Sequence, residues 1–517
     1  MFCVIFLLFP AFLFSLPEGG VIIHGSAAFS KPSQAELEIA ASDQAVLDWD
    51  SFSIGAGEKA RFILPHDRAS VINRVVGSEV SLIQGVLESD GRVFLLNPNG
   101  LLIGKKGVVD TASFVASTLP LAPWGEGRGG SAIGNEGRVS ARKGDLCLIA
   151  PEIRNAGQLR APEGRVALLA GTEASWSADA QSVFGNGILI QTGHVEGGSA
   201  IWLSSPGGSL QLEGAIAAKG EMAVEGMRIE ITGPLVLNSP SSLSFNAAAD
   251  FSIGSVLGNY DAGDITIESG GDVLIRSSPI SSAQIFAQGG NVSLSARNLT
   301  VESCGTPAEI LSLNGAIALL LDGNLSLAGG RECFADASAR LVGENIQIAA
   351  KGNLSLAGGA GPQCLAEICA AGIVEAAIGG NLELEGGECV DRSYACISAG
   401  ESIRFDVKGC AKLISGLGSS VQMSARCGPL FLSAGAIELR GNETAGSARI
   451  KGKESVCLAS LESIAIERGE VYSKEGVLRL IAGQAIEAQM SLFASPKTAE
   501  WEAPRVDLRE GISTIHP

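Results

Sequence analysis

The sequence predicts an all-β chain and, among all-β architectures, a β-solenoid. The first observation is a recurring theme of glycine, a small polar residue and an alternating strand. It reads "GGDVLIRS" at 270, "GGNVSLSA" at 289, "GNLSLAGG" at 323 and again at 352, and "GNLELEGG" at 380. The second is that no stretch carries the apolar period of an amphipathic helix of useful length. The third is composition: hydrophobic residues make up 46% of the chain but aromatics only 5%, alongside 67 glycines. Such a core is built from Ala, Val, Ile and Leu, which suits thin stacked coils. A coil of ~20–30 residues cannot bury its own inner face, and stacking buries it. Propeller blades need a longer period, and sandwiches usually supply more aromatic core.

The N-terminus reads "MFCVIFLLFPAFLFSLPEGG". The apolar run from Phe2 to Phe14 contains Pro10 and is too short to span a bilayer. It reads as the h-region of a secretory signal peptide over residues 1–15, removed near Ser15 or Leu16. The first basic side chain is Lys31, so the charged n-region is missing. No later segment is long and apolar enough to be transmembrane, and the mature chain is read as exported and soluble.

Residues 16–175 form the next segment. Alternation, as in "AELEIA", marks half-buried strands, and fully apolar runs such as "VFLL" mark more deeply buried ones. The stretch "GRVFLLNPNGLLIG" is strand, tight turn, strand. Pro98 presets φ for a type I turn, Asn97 and Asn99 can bond their own backbone, and Gly100 tolerates positive φ. Residues 120–137 are dense in Gly and Pro and read as a loop. Strands resume in "GDLCLIAPEIRNAGQLRAPEGRVALLAG", Gly144 to Gly171. Residues 176–517 are the repetitive region, with weaker copies of the theme such as "GENIQIAA" at 343 and "GESIRFDV" at 400.

The formal net charge is −18. That argues against nucleic acid as a partner and against docking on anionic membranes. The residues also offer no chemistry of a recognisable kind. The four histidines, at 24, 66, 194 and 516, are not paired at ligand spacing. No G-x-S-x-G elbow appears, and "GAGEKA" at Gly55 lacks the ending of a phosphate loop. "NYDAGD" at Asn259 reads as a solvated turn rather than a calcium loop. "DWD" at Asp48 reads as an exposed acidic pair beside a buried ring. No catalytic residue, cofactor or metal ligand is expected.

Cysteine usage is distinctive. Nine of the eleven lie at Cys304, Cys333, Cys364, Cys369, Cys389, Cys396, Cys410, Cys427 and Cys457. Three of these follow the strand theme, so stacking on adjacent coils is expected, either as disulfides of an exported protein or as a ladder of free thiols. Nine is odd, so at least one stays free or pairs between molecules. No C-x-x-C suggests a metal or redox centre.

The first third of the chain resembles a known family. "LPEGGVIIHGSAAF", "AVLDWDSFSIGAGEKARFILP" and "SVINRVVGSEVSLIQGVLESDGRVFLLNPNGLLIG" occur in the order of the haemagglutination-activity, or two-partner secretion, domain of filamentous haemagglutinin-type exoproteins. Two motifs widely shared in that family match Asn73-Arg74-Val75 and Asn97-Pro98-Asn99-Gly100. The resemblance implies a right-handed parallel β-helix. It implies export to the periplasm, recognition by the POTRA domains of a partner outer-membrane β-barrel transporter, and folding outside the cell. It further implies a secreted or surface-displayed adhesin-like protein with a host-cell receptor or glycan as ligand. On that reading the turn "NPNG" holds one coil in shape, and Arg74 is either a transporter contact or the cap of a turn. The alternative is a β-helical lyase or glycosidase. It requires clustered charge in a groove across several coils. A barrel of the chain's own is not expected, because the C-terminal region lacks a set of ~10-residue amphipathic strands.

Overall fold

A computed structural model describes residues 16–121, 130–176, 181–330, 337–361, 363–388, 393–443, 446–509 and 513–515. The expected signal segment, residues 122–129 of the Gly/Pro-rich loop, and Cys333 and Cys389 lie outside the described residues. The end of that loop is corrected, because Ile133–Asn135 is a strand paired in parallel with Leu101–Ile103. The described secondary structure is β throughout, arranged as a right-handed parallel β-helix. The chain forms two compact units, Met1–Leu210 and Gln211–Pro517.

In both units a strand pairs in parallel with the strand three places later, so three strands make one coil. In the second unit Leu243–Ala247, Ile265–Ser269, Val292–Ala296 and Ile317–Leu321 succeed one another on one face. Inward residues alternate with outward ones because successive strand side chains point to opposite faces. The inward columns are apolar: Leu325 and Leu327 stack on Leu354 and Leu356, then on Leu382 and Leu384, all 0–1% exposed. Each such leucine contributes roughly 1.5–3 kcal/mol relative to an exposed one.

The recurring theme is explained by the coil corners. At 323, 352 and 380 its copies stack as direct neighbours, and the asparagine of each serves the next coil. Asn324 N–H donates to Asn298 Oδ1 (2.7 Å), Asn353 N–H to Asn324 Oδ1 (2.8 Å) and Asn381 N–H to Asn353 Oδ1 (2.8 Å). The last side chain accepts from Cys410 N–H at 3.0 Å. The side chain lies where the next coil's preceding residue would carry a Cβ. An added Cβ would sit 2.3 Å from Asn324 Oδ1 at Gly352 and 2.2 Å from Asn353 Oδ1 at Gly380. Glycine and asparagine therefore recur together because each requires the other one coil away. A second corner runs from Asp264, which accepts Asn291 N–H at 2.7 Å, to Asn291, which accepts Ala316 N–H at 2.8 Å. This accounts for the copies at 289 and 343, which belong to a different face from those at 323 and 352. "NYDAGD" is a turn, as expected: Asn259 is buried and donates to Gly263 O at 2.9 Å, and Asp264 begins the corner column.

The first unit adds two features that alternation did not disclose. Val21–His24 and Ala27–Ser33 pair antiparallel, with Ala45–Trp49 and Glu36–Ala41 respectively, at the N-terminal end of the stack. The second is an apolar layer outside the coil. Ile72, Leu96, Val115, Cys147, Ile149 and Leu169 point outward from one face and are still buried. The antiparallel hairpin Glu173–Trp176 and Gln181–Phe184 supplies Val183 to this layer. Strands such as Leu146–Ala150 are buried at every position for this reason, which is why they read as continuous apolar runs.

Cysteines of the strands do not stack on one another. Cys369 is in register with Val342 and Ser398, Cys396 with Glu367 and Gln422, Cys410 with Ala436, and Cys457 with Phe431 and Arg479. These four cysteines occupy outward positions at different phases of the coil; the ladder expected of Cys333, Cys364 and Cys389 falls on residues of which two lie outside the described ones. Cys364 is buried and Cys427 exposed. Burial pushes the Cys147 and Cys396 thiols up to about 12, with the carboxylates of Asp145 and Glu367 adding to it respectively.

Two outcomes are expected. Gly380→Ala lowers stability by about 1–3 kcal/mol, the cost of overpacking. Adding Asn353→Ala recovers part of that loss, and urea midpoints measure both effects. In alkylation of the folded chain followed by peptide mass spectrometry, Cys427 reacts well before Cys147 and Cys396, since only the thiolate attacks.

Candidate functional site

The two sequence motifs lie 24 residues apart in the chain and one coil apart in space. Ser70–Val75 runs parallel between Ala45–Trp49 and Arg92–Leu96, so Asn73 stacks between Leu47 and Leu95 and Arg74 between Asp48 and Leu96. Asn73 thus stands where neighbouring coils place leucine, and it is fully buried. A buried amide needs partners. Its Oδ1 accepts the indole N–H of Trp49 at 3.0 Å, and its Nδ2 donates to Phe94 O at 3.2 Å. Trp49 is itself 1% exposed and meets Phe29 and Phe52 edge to face, at 5.7 and 5.6 Å between ring centres. One asparagine therefore ties three successive coils together. Val75 is the inward neighbour of Trp49 and is buried.

Arg74 faces outward. It donates to both carboxylate oxygens of Asp48, Nε to Oδ1 at 2.6 Å and Nη2 to Oδ2 at 2.8 Å. Two-point pairing fixes the guanidinium plane. This corrects the reading of Asp48 as one of an exposed acidic pair: Asp48 is half-buried and engaged, while Asp50 is exposed. The partner was hidden because it lies 26 residues away along the chain.

The turn Asn97-Pro98-Asn99-Gly100 is the corner that follows. Gly100 N–H donates to Asn97 O at 3.1 Å, closing the turn, and Gly100 takes a φ of +120°. Asn97 is 1% exposed. Its Oδ1 accepts Asn99 N–H at 2.9 Å, and its Nδ2 donates to Glu79 O and Ser81 Oγ, both at 2.9 Å. Asn99 Nδ2 donates to Gly77 O at 2.8 Å. Residues 77–81 follow directly on the Asn73-Arg74-Val75 strand. The second motif therefore clamps the loop of the first, and the structure sets the two motifs side by side on adjacent coils. Val76, Val80 and Pro98 are exposed on the rim of this corner, Val76 at 61% and Val80 at 50%. The titratable motif side chain, Arg74, is held by Asp48. The turn is a rigid amide-bonded corner with an apolar edge.

Further along the same unit, Asn135 Nδ2 donates to Asn155 Oδ1 (2.7 Å), and Asn155 Nδ2 donates to Gln191 Oε1 (2.8 Å). These buried amides sit on three consecutive coils, in register. Only the "RNAG" turn containing Asn155 hinted at them in the sequence.

In the second unit an open trough of about 670 Å³ crosses the outer face of six coils from Ile265–Ser269 to Ile403–Val407. Its floor carries Ser293, Ala318, Leu320 and Ala349. Glu268 lies at one end, and Glu375, Arg404 and Asp406 at the other. Arg404 Nε stands 3.5 Å from Asp406. Among the described residues no group of three or more His, Cys, Asp or Glu is placed to hold a metal ion.

Residues 37–231 match the family described as the TPS secretion domain. Over 106 residues the chain is 35% identical to a heme/hemopexin-binding protein of Haemophilus influenzae, covering 20% of this chain and 11% of that protein. The heme/hemopexin-binding protein of the Rd strain of that species is 33% identical over 106 residues, covering 20% and 12%. The match thus spans about a tenth of the length of these curated relatives. The crystal structure of the HMW1 secretion domain from Haemophilus influenzae aligns at 18% identity with a TM-score of 0.35, covering 89% of this chain and 100% of that one.

Replacing Asn73 by alanine leaves the indole N–H of Trp49 without its acceptor. The expected loss is about 1–3 kcal/mol, the cost of an unsatisfied buried donor. Chemical denaturation followed by tryptophan fluorescence measures it. Arg74→Ala leaves the core untouched, and a loss below about 1 kcal/mol is expected for a pair near the surface.

Proposed function

We propose that this chain is the exoprotein of a two-partner secretion system. It passes the inner membrane by way of a signal segment over residues 1–15. It is recognised in the periplasm by the POTRA domains of a partner β-barrel transporter, crosses the outer membrane unfolded, and folds outside. The observation that carries this reading is the match of residues 37–231 to the TPS secretion domain. The interlocked motifs of Asn73 and Asn97 fall inside that stretch.

The architecture suits the route. A parallel stack adds one coil at a time, each coil burying the apolar face of the one before it. The corner at Asn97 lies near the N-terminal end, where such growth begins. Its role on this reading is to set the register of the first coils, while transporter recognition falls to exposed strands nearby. The rim of Val76, Val80 and Pro98 is the apolar surface available there. The haemagglutination-activity assignment, the display at the cell surface and an adhesin-like passenger that takes a host receptor or glycan belong to the same proposal.

The chain acts without catalysis on this reading. A polysaccharide-cleaving enzyme calls for charge gathered in a groove, and the trough of the second unit has an uncharged floor. Binding of heme or hemopexin, named for the relatives, is not carried over, because the shared stretch covers 11–12% of them.

The test is secretion. The full chain is produced in a Gram-negative host with and without the candidate transporter encoded in the same genome. Medium and protease-accessible cell surface are then assayed. The chain is expected outside only when the transporter is present. A chain that remains folded in the periplasm in both cases contradicts the proposal.

A further inference from the structure

Corners along one edge of the first unit come in two lengths. Four turns that join the first and second faces of successive coils are two residues long: Gln84-Gly85, Glu136-Gly137, Ala156-Gly157 and Thr192-Gly193. Two others have four residues: Gly55-Ala56-Gly57-Glu58 before Lys59–Ile63, and Gly104-Lys105-Lys106-Gly107 between Leu101–Ile103 and Val108–Thr111. Of the two, the second carries adjacent lysines. The extra length does not disturb the stack. Gly104 N–H bonds Ile83 O at 2.9 Å, Gly107 N–H bonds Gly104 O at 2.7 Å, and Val108 N–H bonds Gly85 O at 2.9 Å. The insertion therefore consists of two exposed lysines looped out of an otherwise regular corner.

The surface beneath the loop is concave, about 640 Å³, and is lined by Lys105, Lys106, Glu136, Arg138, Gln158 and His194 together with glycines. Gly137, Gly157 and Gly193 form its floor. They stack so closely that a Cβ at Gly157 would meet Gly137 O at 2.3 Å, and one at Gly193 would meet Gly157 O at 2.1 Å. The floor stays bare of side chains for that reason. Arg138, Gln158 and His194 are register neighbours on three successive coils, so Arg138 and His194 stand about 10 Å apart at ordinary strand spacing.

Three cations without an ion-pair partner among the described residues gather on this ledge. Lys59, Arg142 and Lys143 are paired with Glu88, Asp110 and Glu163 at 2.5, 2.5 and 3.0 Å. Lys105, Lys106 and Arg138 have no such carboxylate partner among the described residues, although the chain carries a net charge of −18. Glu136 is the single acid on the ledge. Unneutralised cations gathered over a concave, bare floor favour a compact multiply charged anion.

We propose that this ledge binds an anion bearing two or more phosphate groups, such as a phosphorylated saccharide headgroup. Lys105 and Lys106 close over it as point charges, and Arg138 offers its planar fork from the coil below. Glu136 opposes binding and narrows the ligand to groups of high charge density. This inference does not rest on the secretion reading, because it concerns the purified folded chain.

The test is calorimetric titration of the full chain with inorganic tripolyphosphate at low salt. Lys105→Gln with Lys106→Gln is expected to weaken binding at least tenfold. Both sites lie in an exposed loop, so the fold should be retained, and circular dichroism checks it. Glu136→Gln is expected to tighten binding, and Lys143→Gln, whose lysine is already paired, to leave it unchanged. Affinity should fall as salt rises. A second arm uses phosphatidylcholine vesicles with and without lipid A, whose disaccharide bears two phosphates. Binding to tripolyphosphate alone assigns a soluble phosphate ester as ligand, and binding to both assigns a lipid-borne headgroup. Absence of tripolyphosphate binding, or equal binding by all variants, overturns the proposal. So would a ledge that captures only acidic proteins.

Discussion

Every coil of this molecule depends on a neighbour in register. A three-strand coil has no interior of its own, so its apolar side chains are buried only when the next coil sits directly above it. A slip of one residue would turn an inward column outward. Hydrophobic burial penalises that slip, but not a slip of two residues or pairing with the wrong coil, because one leucine column resembles another. The corner hydrogen bonds supply the missing discrimination. An asparagine side chain reaches one particular backbone N–H, and the glycine beside that N–H leaves room for it.

The same logic governs the N-terminal coils in a different form. Asn73 is not at an exposed corner but in the core, with Trp49 on one side and Phe94 on the other. Asn97 is buried as well and holds the loop that follows Asn73. Both place a polar group where an apolar residue would pack more easily. Buried amides of this kind tolerate few alternatives, since a shifted register leaves them unsatisfied. They specify which strand lies next to which at the end where the stack begins.

Much of this was legible in the sequence. The repeat, the strand character and the turn at Asn97 follow from alternation, glycine spacing and turn chemistry, all of which are local. What stayed hidden was non-local. Asp48 and Arg74 are partners across 26 residues, and nothing in either neighbourhood announces the other. The outer apolar layer at Ile72, Leu96 and Ile149 showed only as runs of unbroken hydrophobicity, and its cover, the hairpin bearing Val183, has no strong turn signal among its described residues. Spacing alone also left the phase of the strand cysteines unreadable. Insertions and differing corner lengths shift their phase, so Cys396 faces Glu367 rather than a second thiol.

Corner side chains, not strand pairing alone, hold the coils in register. Amide hydrogen exchange of the folded chain tests this most directly. The N–H groups of Asn324, Asn353, Asn381 and Cys410 lie at corners, where unbonded amides exchange quickly. Bonded to the corner side chains, they are expected to exchange slowly, and together with the strands they join. Rapid exchange at all four, with the strands still protected, would contradict it.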